Sequence, residues 1–112
     1  MVKLKGIVAS KPVNKMYGEI YNFEEKRGTY AGKILVVEQT YPNMMDYVTK
    51  AKAIIAETGG ILSHAAIVSR ELQIPCVVCV KNATKILKTG YTVELDLEEG
   101  TIKILKRKTN FA

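Results

Sequence analysis

The chain has one histidine, two cysteines, three prolines and no tryptophan. It has no run of eighteen apolar residues, so no membrane-spanning helix is expected. Met1-Val2-Lys3-Leu4-Lys5-Gly6 lacks the long apolar stretch of a signal peptide, which predicts a cytoplasmic protein. One histidine and two cysteines are too few ligands for an ordinary zinc site. Cys76 and Cys79 have C-x-x-C spacing, but Cys76-Val77-Val78-Cys79-Val80 reads as a strand. Residues three apart on a strand point to opposite faces, so two buried, reduced thiols are expected instead of a metal or redox motif. Aromatic residues make up 7% of the chain, and few lie among its basic side chains. There is no helix-turn-helix or RNA-binding signature, so nucleic acid is not an expected partner. No segment repeats, and none is of low complexity.

The 112 residues are 47% apolar. That length and composition fit one domain, 1–112, around one ordinary core. Seventeen basic against eleven acidic side chains give a net charge of +6. The positive charge is scattered, apart from Lys103, Lys106, Arg107 and Lys108 near the C-terminus. Such a surface attracts acidic or phosphorylated partners at long range.

Val2–Val8 and Met16–Phe23 alternate as strands do. Gly18, inside the second, points to a bulge or a close approach. Lys33–Glu38 is a nearly continuous apolar strand, as expected when both faces are covered. Pro42 is placed to start a helix running to Lys50. Ala53–Ala56 is another covered strand. Ser63 can cap a helix ending near Leu72, before Ile74-Pro75. Cys76–Val80 is the next strand, and Asn82 is placed to cap a short helix, Ala83–Leu87. Thr92–Leu97 and Thr101–Lys106 alternate around the Glu98-Glu99-Gly100 turn and form a hairpin. Residues 107–112 read as a frayed tail. The order of elements predicts an α/β fold: a mixed sheet with short helices and a β-rich second layer made by both chain ends.

The histidine lies in Thr58-Gly59-Gly60-Ile61-Leu62-Ser63-His64-Ala65-Ala66-Ile67-Val68-Ser69-Arg70. A helix start has N–H groups without partners and a partial positive charge, which together favour a phosphate. Gly59 and Gly60 remove side-chain bulk ahead of it. His64 falls in the first turn, where side chains lean toward the N-terminus and hence toward the glycine loop. Imidazole has a free pKa of about 6.5, so a neutral, nucleophilic ring exists at cellular pH. The positive helix end further disfavours the cation. Such a ring can accept a phosphoryl group and release it again. Periodicity alone also fits a histidine that merely packs at the edge of an apolar stripe.

The same string closely resembles the phosphohistidine motif of the phosphoenolpyruvate-utilising enzymes. That family includes pyruvate phosphate dikinase, phosphoenolpyruvate synthase, enzyme I of the sugar phosphotransferase system and rifampin phosphotransferase. Gly59, Gly60, Ser63, His64, Ala65, Ala66, Ile67, Val68, Ser69 and Arg70 carry the resemblance. Gly32–Val36, Gln39-Thr40-Tyr41-Pro42, Ala53–Thr58, Ile74–Val78, Ala83-Thr84, Leu95-Asp96 and Gly100–Ile102 extend it. The resemblance implies a swivelling β/β/α phosphohistidine domain in which His64 takes the phosphoryl group. It implies no cofactor held by this domain itself: phosphoenolpyruvate, ATP and Mg would belong to an ATP-grasp-like nucleotide-binding partner and a pyruvate-binding partner. Leu62 departs from the motif, standing where many members have threonine.

Among the neighbours, Thr58 is a candidate to bond the ring or the phosphate. Ser63 is a candidate both for the cap and for the phosphate. Arg70 lies six residues on, about 9 Å along the helix, and is expected to be structural or to dock an acidic group. The alternative to a phosphoryl carrier is a non-catalytic anion-binding or regulatory module that keeps the fold. The excised piece of a larger enzyme is a third reading.

Overall fold

A computed structural model describes residues 3–107. The tail expected at 107–112 therefore lies, beyond Arg107, outside the described residues. Eight strands form one sheet: β1 Lys3–Lys5, β2 Ile7–Ser10, β3 Lys15–Asn22, β4 Ile34–Val37, β5 Ala53–Ala56, β6 Cys76–Val78, β7 Thr92–Asp96 and β8 Thr101–Lys106. Their spatial order is β1-β8-β7-β3-β4-β5-β6-β2. β3, β4, β5 and β6 run parallel, and every other pairing is antiparallel. The helices are α1 Met45–Lys50, α2 His64–Leu72 and α3 Ala83–Ile86, with a 3-10 turn at Pro42–Met44 ahead of α1.

The α/β expectation holds, including the β-rich part built from both chain ends. β3 joins the two parts of the sheet. Its first half pairs with β7 in the antiparallel part, and Ile20–Asn22 pairs with β4 in the parallel part. β4, β5 and β6 are buried along their whole length on both faces, which explains their unbroken apolar sequences. Ile34 and Val36 of β4, with Ala53 and Ile55 of β5, join one cluster that includes Val93, Leu95 and Ile102. The alternate residues Leu35, Val37, Ile54 and Ala56 face a second cluster with Val48, Ala65 and Ala66 of the helices. The period of two thus divides each strand between the two cores.

The reading of Val2–Val8 as one strand is corrected. The chain breaks at Gly6, and β1 and β2 lie at opposite ends of the strand order. The cause is packing: a Cβ on Gly6 would stand 2.4 Å from the Val78 carbonyl oxygen. Since only Gly6 separates the two edge strands, the sheet must curl until its ends come together. The Gly6 amide spans that seam by donating to the Gly100 oxygen at 2.9 Å.

Asn82 does not cap α3 with its side chain, contrary to the sequence reading; its own backbone is left-handed, φ 63°. Glu57, at the end of β5, does the work. Its carboxylate accepts from the Thr84 amide at 2.7 Å and from the Thr84 hydroxyl. Buried Asn22 holds the same helix from below, donating to the Thr84 and Leu87 carbonyls at 2.8 Å each. Two segments distant in sequence therefore fix α3, and one of them leads directly into the glycine loop.

Among the described residues no helix is long and apolar enough to cross a membrane, which says nothing of proteins that cross with strands.

Candidate functional site

β4 and β5 are adjacent and parallel, so the loops at their C-terminal ends stand side by side. In open α/β sheets this is the edge where ligands bind. The loop after β5 carries Thr58 to Ser63 and leads into α2. The loop after β4 carries Gln39 to Tyr41.

Ser63 caps α2 as its sequence position predicts. Its hydroxyl accepts from the Ala66 amide at 3.4 Å and donates to the Gly60 carbonyl at 2.8 Å. Gly59 has φ +103°, and a Cβ there would meet Ser63 Oγ at 2.8 Å. Glycine is therefore required at 59 on both conformational and steric grounds. Gly60 differs: an added Cβ would have nothing within 4 Å. The space beside Gly60 is open.

α2 buries Ala65, Ala66 and Ser69 against the sheet. These small side chains let the helix lie close. His64, on the first turn, is half-buried, so the ring is not sealed in the interior. Its Nδ1 lies 2.8 Å from Thr40 Oγ1. Thr40 is itself buried, so this bond is shielded from competing water. When Nδ1 carries the proton, the Thr40 oxygen accepts it and Nε2 keeps a free lone pair. Among the described residues one ring nitrogen thus has a partner and the other has none.

The sequence candidates divide around this geometry. Gly59, Gly60 and Ser63 surround the start of the helix. Thr58 does not reach the ring: its hydroxyl and its amide both donate to the Glu38 carbonyl at 3.0 Å, tying the two loops together. The threonine on the ring is Thr40, which the sequence reading had only as part of a turn before Pro42. Arg70 makes backbone contacts, and among the described residues it pairs with no acid. Its guanidinium donates to the Ala9 carbonyl at 3.0 Å and to the Ile61 carbonyl at 2.6 Å, holding the histidine loop to β2.

The expectation of two buried thiols fails for Cys79. β6 ends at Val78, and Cys79 turns out in a left-handed conformation, φ +58°. The next residue drives this turn: the Val80 amide donates to the Ala56 carbonyl at 3.0 Å. Cys79 is exposed, and its Sγ donates to the Gly59 carbonyl at 2.7 Å. Cys76 is buried, and burial pushes its thiol up to about 11. In the native protein a thiol reagent such as dithionitrobenzoate should therefore modify Cys79 and spare Cys76. Mass mapping of the modified chain checks this; rapid labelling of Cys76 under native conditions would contradict the placement of β6.

The net positive charge is not carried by the two segments that frame the histidine. Residues 38–45 and 57–67, which frame it, contain Glu38 and Glu57 but no lysine or arginine. Among the described residues no group of three or more His, Cys, Asp or Glu side chains stands together as a metal site would require.

Comparison with known proteins adds to this geometry. Residues 29–100 match the family described as "PEP-utilising enzyme, mobile domain". The chain is 43% identical over 113 residues to the phosphoenolpyruvate synthase of Pyrococcus furiosus, covering 96% of this chain and 14% of that enzyme. It is 45% identical over 71 residues to the phosphoenolpyruvate synthase of Aeropyrum pernix, covering 63% of this chain and 9% of that one. The chain thus spans at most about a seventh of the length of these relatives. Among solved structures, a chain of Thermococcus kodakaraensis aconitase X in its holo-form superposes with a TM-score of 0.67 at 29% identity, covering 95% of this chain and 100% of that one. A solution structure of enzyme I (nEIt) gives a TM-score of 0.58 at 27% identity, covering 68% of this chain and 32% of that one.

Proposed function

The chain belongs to the family of PEP-utilising enzyme mobile domains, and on that premise we propose that it is a phosphoryl carrier with His64 as the acceptor. The observation that supports this most is the ring itself: half-buried at the first turn of α2, with Nδ1 held by Thr40. That arrangement leaves Nε2 as the nucleophile. Its lone pair attacks the phosphorus of a donor such as phosphoenolpyruvate, an N–P bond forms, and the donor's P–O bond breaks with release of the enolate oxygen. In the return step an acceptor oxygen attacks phosphorus and the N–P bond breaks. Each half is an in-line displacement, which positioning and charge stabilisation accelerate most.

Donor and acceptor sites would lie in partner domains, one binding nucleotide in the manner of an ATP-grasp fold and one binding phosphoenolpyruvate or pyruvate. Magnesium would be held there with the nucleotide. The carrier then swivels or diffuses between them. Linkage to a partner would give an effective concentration of about millimolar.

The test is chemical. The protein is treated with phosphoramidate, a small N–P donor, or with labelled phosphoenolpyruvate and a synthase of the family. Acid-labile, base-stable phosphate on the chain is the expected result. No such phosphate from any donor would end the carrier reading.

One observation favours a second reading. The fold also accounts for the whole of an aconitase X chain, a protein with a different name. A non-catalytic module of this fold would bind an anion at the loop without forming an N–P bond, and the same labelling separates the two.

A further inference from the structure

Four large apolar side chains stand exposed around His64. Leu62 is 80% exposed, Ile61 58%, Tyr41 50% and Ile67 42%. Ile61 and Leu62 immediately precede the cap, Ile67 follows His64 by one turn, and Tyr41 follows Thr40, which holds the ring. A hydrophobic staple between the residue before the cap and the fourth helical residue would join Leu62 to Ile67. At 80% exposure Leu62 is not covered by any such contact. Arg70, bonded to the Ile61 carbonyl, fixes the loop that presents these side chains. Their presentation is therefore built in and costs little ordering on contact.

The charge around the histidine is one-sided. Phosphoryl transfer needs positive charge about the moving group, yet the two segments that frame His64 supply no cationic side chain, and the guanidinium that reaches the histidine loop, Arg70, is committed to the Ala9 and Ile61 carbonyls. Beside Tyr41 a groove is lined by Phe23, Glu24, Glu38, Gln39 and Asn43. Among the described residues neither Glu24 nor Glu38 is in an ion pair. Lys26 lies nearby, over the Phe23 ring at 3.6 Å from its centroid. The cations that stabilise the transferring phosphoryl must then come from whatever meets this face. A protein site that binds a polyanionic phosphoryl donor has a basic rim, and that rim complements the two free carboxylates.

Resting on the carrier reading, we propose that Tyr41, Ile61, Leu62 and Ile67, with the Glu24–Glu38 groove, are the docking face for a donor protein that offers an apolar socket beside a basic rim. Leu62 and Tyr41 are the anchors, and their burial excludes water from the N–P bond. Glu24 and Glu38 set the orientation and raise the encounter rate, as rim charges do.

Two donors test it with full-length proteins. Phosphoramidate needs no docking, whereas the phosphoenolpyruvate synthase of Pyrococcus furiosus with labelled phosphoenolpyruvate does. Leu62→Ser should load from phosphoramidate at the unmodified rate, and Glu38→Lys no more slowly than the unmodified chain. From the synthase each should load about tenfold more slowly or worse, with the loss for Glu38→Lys shrinking as salt rises. Equal rates from the synthase for both variants and the unmodified chain would overturn the docking face. Loading of the unmodified chain by phosphoramidate but never by the synthase would overturn it too, while the carrier reading stands. Failure with both donors removes the carrier reading and this inference with it. A dimer in sedimentation that Leu62→Ser dissolves would assign the face to a second copy of the chain and overturn the proposal.

Discussion

His64→Ala is expected to abolish acid-labile phosphorylation altogether while leaving the thermal midpoint nearly unchanged. The ring is half-buried and its one hydrogen bond among the described residues is to Thr40, so its removal costs the fold little. No other imidazole exists in the chain to take over. Thr40→Val is the more discriminating companion, because it keeps shape and removes only the oxygen that holds Nδ1. The phosphorylated ring is cationic with its proton on Nδ1, so the Thr40 oxygen accepts a charge-assisted bond that strengthens as N–P forms. Such a bond contributes about 1.5–3 kcal/mol, which corresponds to a rate loss of roughly 10- to 160-fold. Phosphoramidate labelling followed over time measures both variants. Full-rate loading of Thr40→Val would mean that the ring is held by something else. Survival of acid-labile label in His64→Ala would exclude His64 as acceptor.

The local elements of this protein were legible because their causes are local. Ala53–Ala56 and Thr101–Lys106 were bounded correctly from their sequences, one an unbroken apolar run and the other an alternation. The Ser63 cap and the length of α2 followed from residues within a few positions of each other. What sequence could not give were contacts between segments. Thr40 reaches His64 across 24 residues only because β4 and β5 pair in parallel and end at the same edge. A threonine was correctly sought for the ring, but Thr58, the nearer in sequence, is spent on the Glu38 carbonyl. Glu57 replaces Asn82 as the cap of α3 across 27 residues. Cys79 leaves its strand because Val80 is drawn to Ala56. In each case the competing partner lies on another strand or in the loop that follows it, and the local pattern carries no record of it. The charge count carries no placement either: +6 describes the whole chain, while residues 38–45 and 57–67 around the histidine hold Glu38 and Glu57 without a lysine or arginine.

Gly6→Ala is expected to produce the largest loss of stability of any single methyl added to this chain. The new Cβ would stand 2.4 Å from the Val78 carbonyl oxygen, 2.6 Å from Val80 Cγ2 and 2.8 Å from Val77 Cγ1. The valine side chains can rotate, but the carbonyl belongs to β6 and cannot move without disturbing its pairing with β2 and β5. Overpacking of this kind costs about 1–3 kcal/mol, occasionally more, and contact with backbone places it at the upper end. For a domain of this size about 3 kcal/mol lowers the thermal midpoint by roughly 12–20 °C. The damage should also spread. The Gly6 amide bonds Gly100, whose own Cβ position is blocked at 2.7 Å by the Gly6 oxygen, so both sides of the seam are glycine for steric reasons. One residue past Val78, Cys79 holds the Gly59 carbonyl of the histidine loop. Strain entering at the seam therefore has a short covalent route to the site, and Gly6→Ala should slow phosphoryl loading even well below its midpoint. Gly60→Ala is the contrast, since its methyl would meet nothing within 4 Å. It should unfold at nearly the unmodified temperature by circular dichroism, with any effect confined to loading. An unchanged midpoint for Gly6→Ala would mean that the two ends of the sheet do not close upon each other in solution.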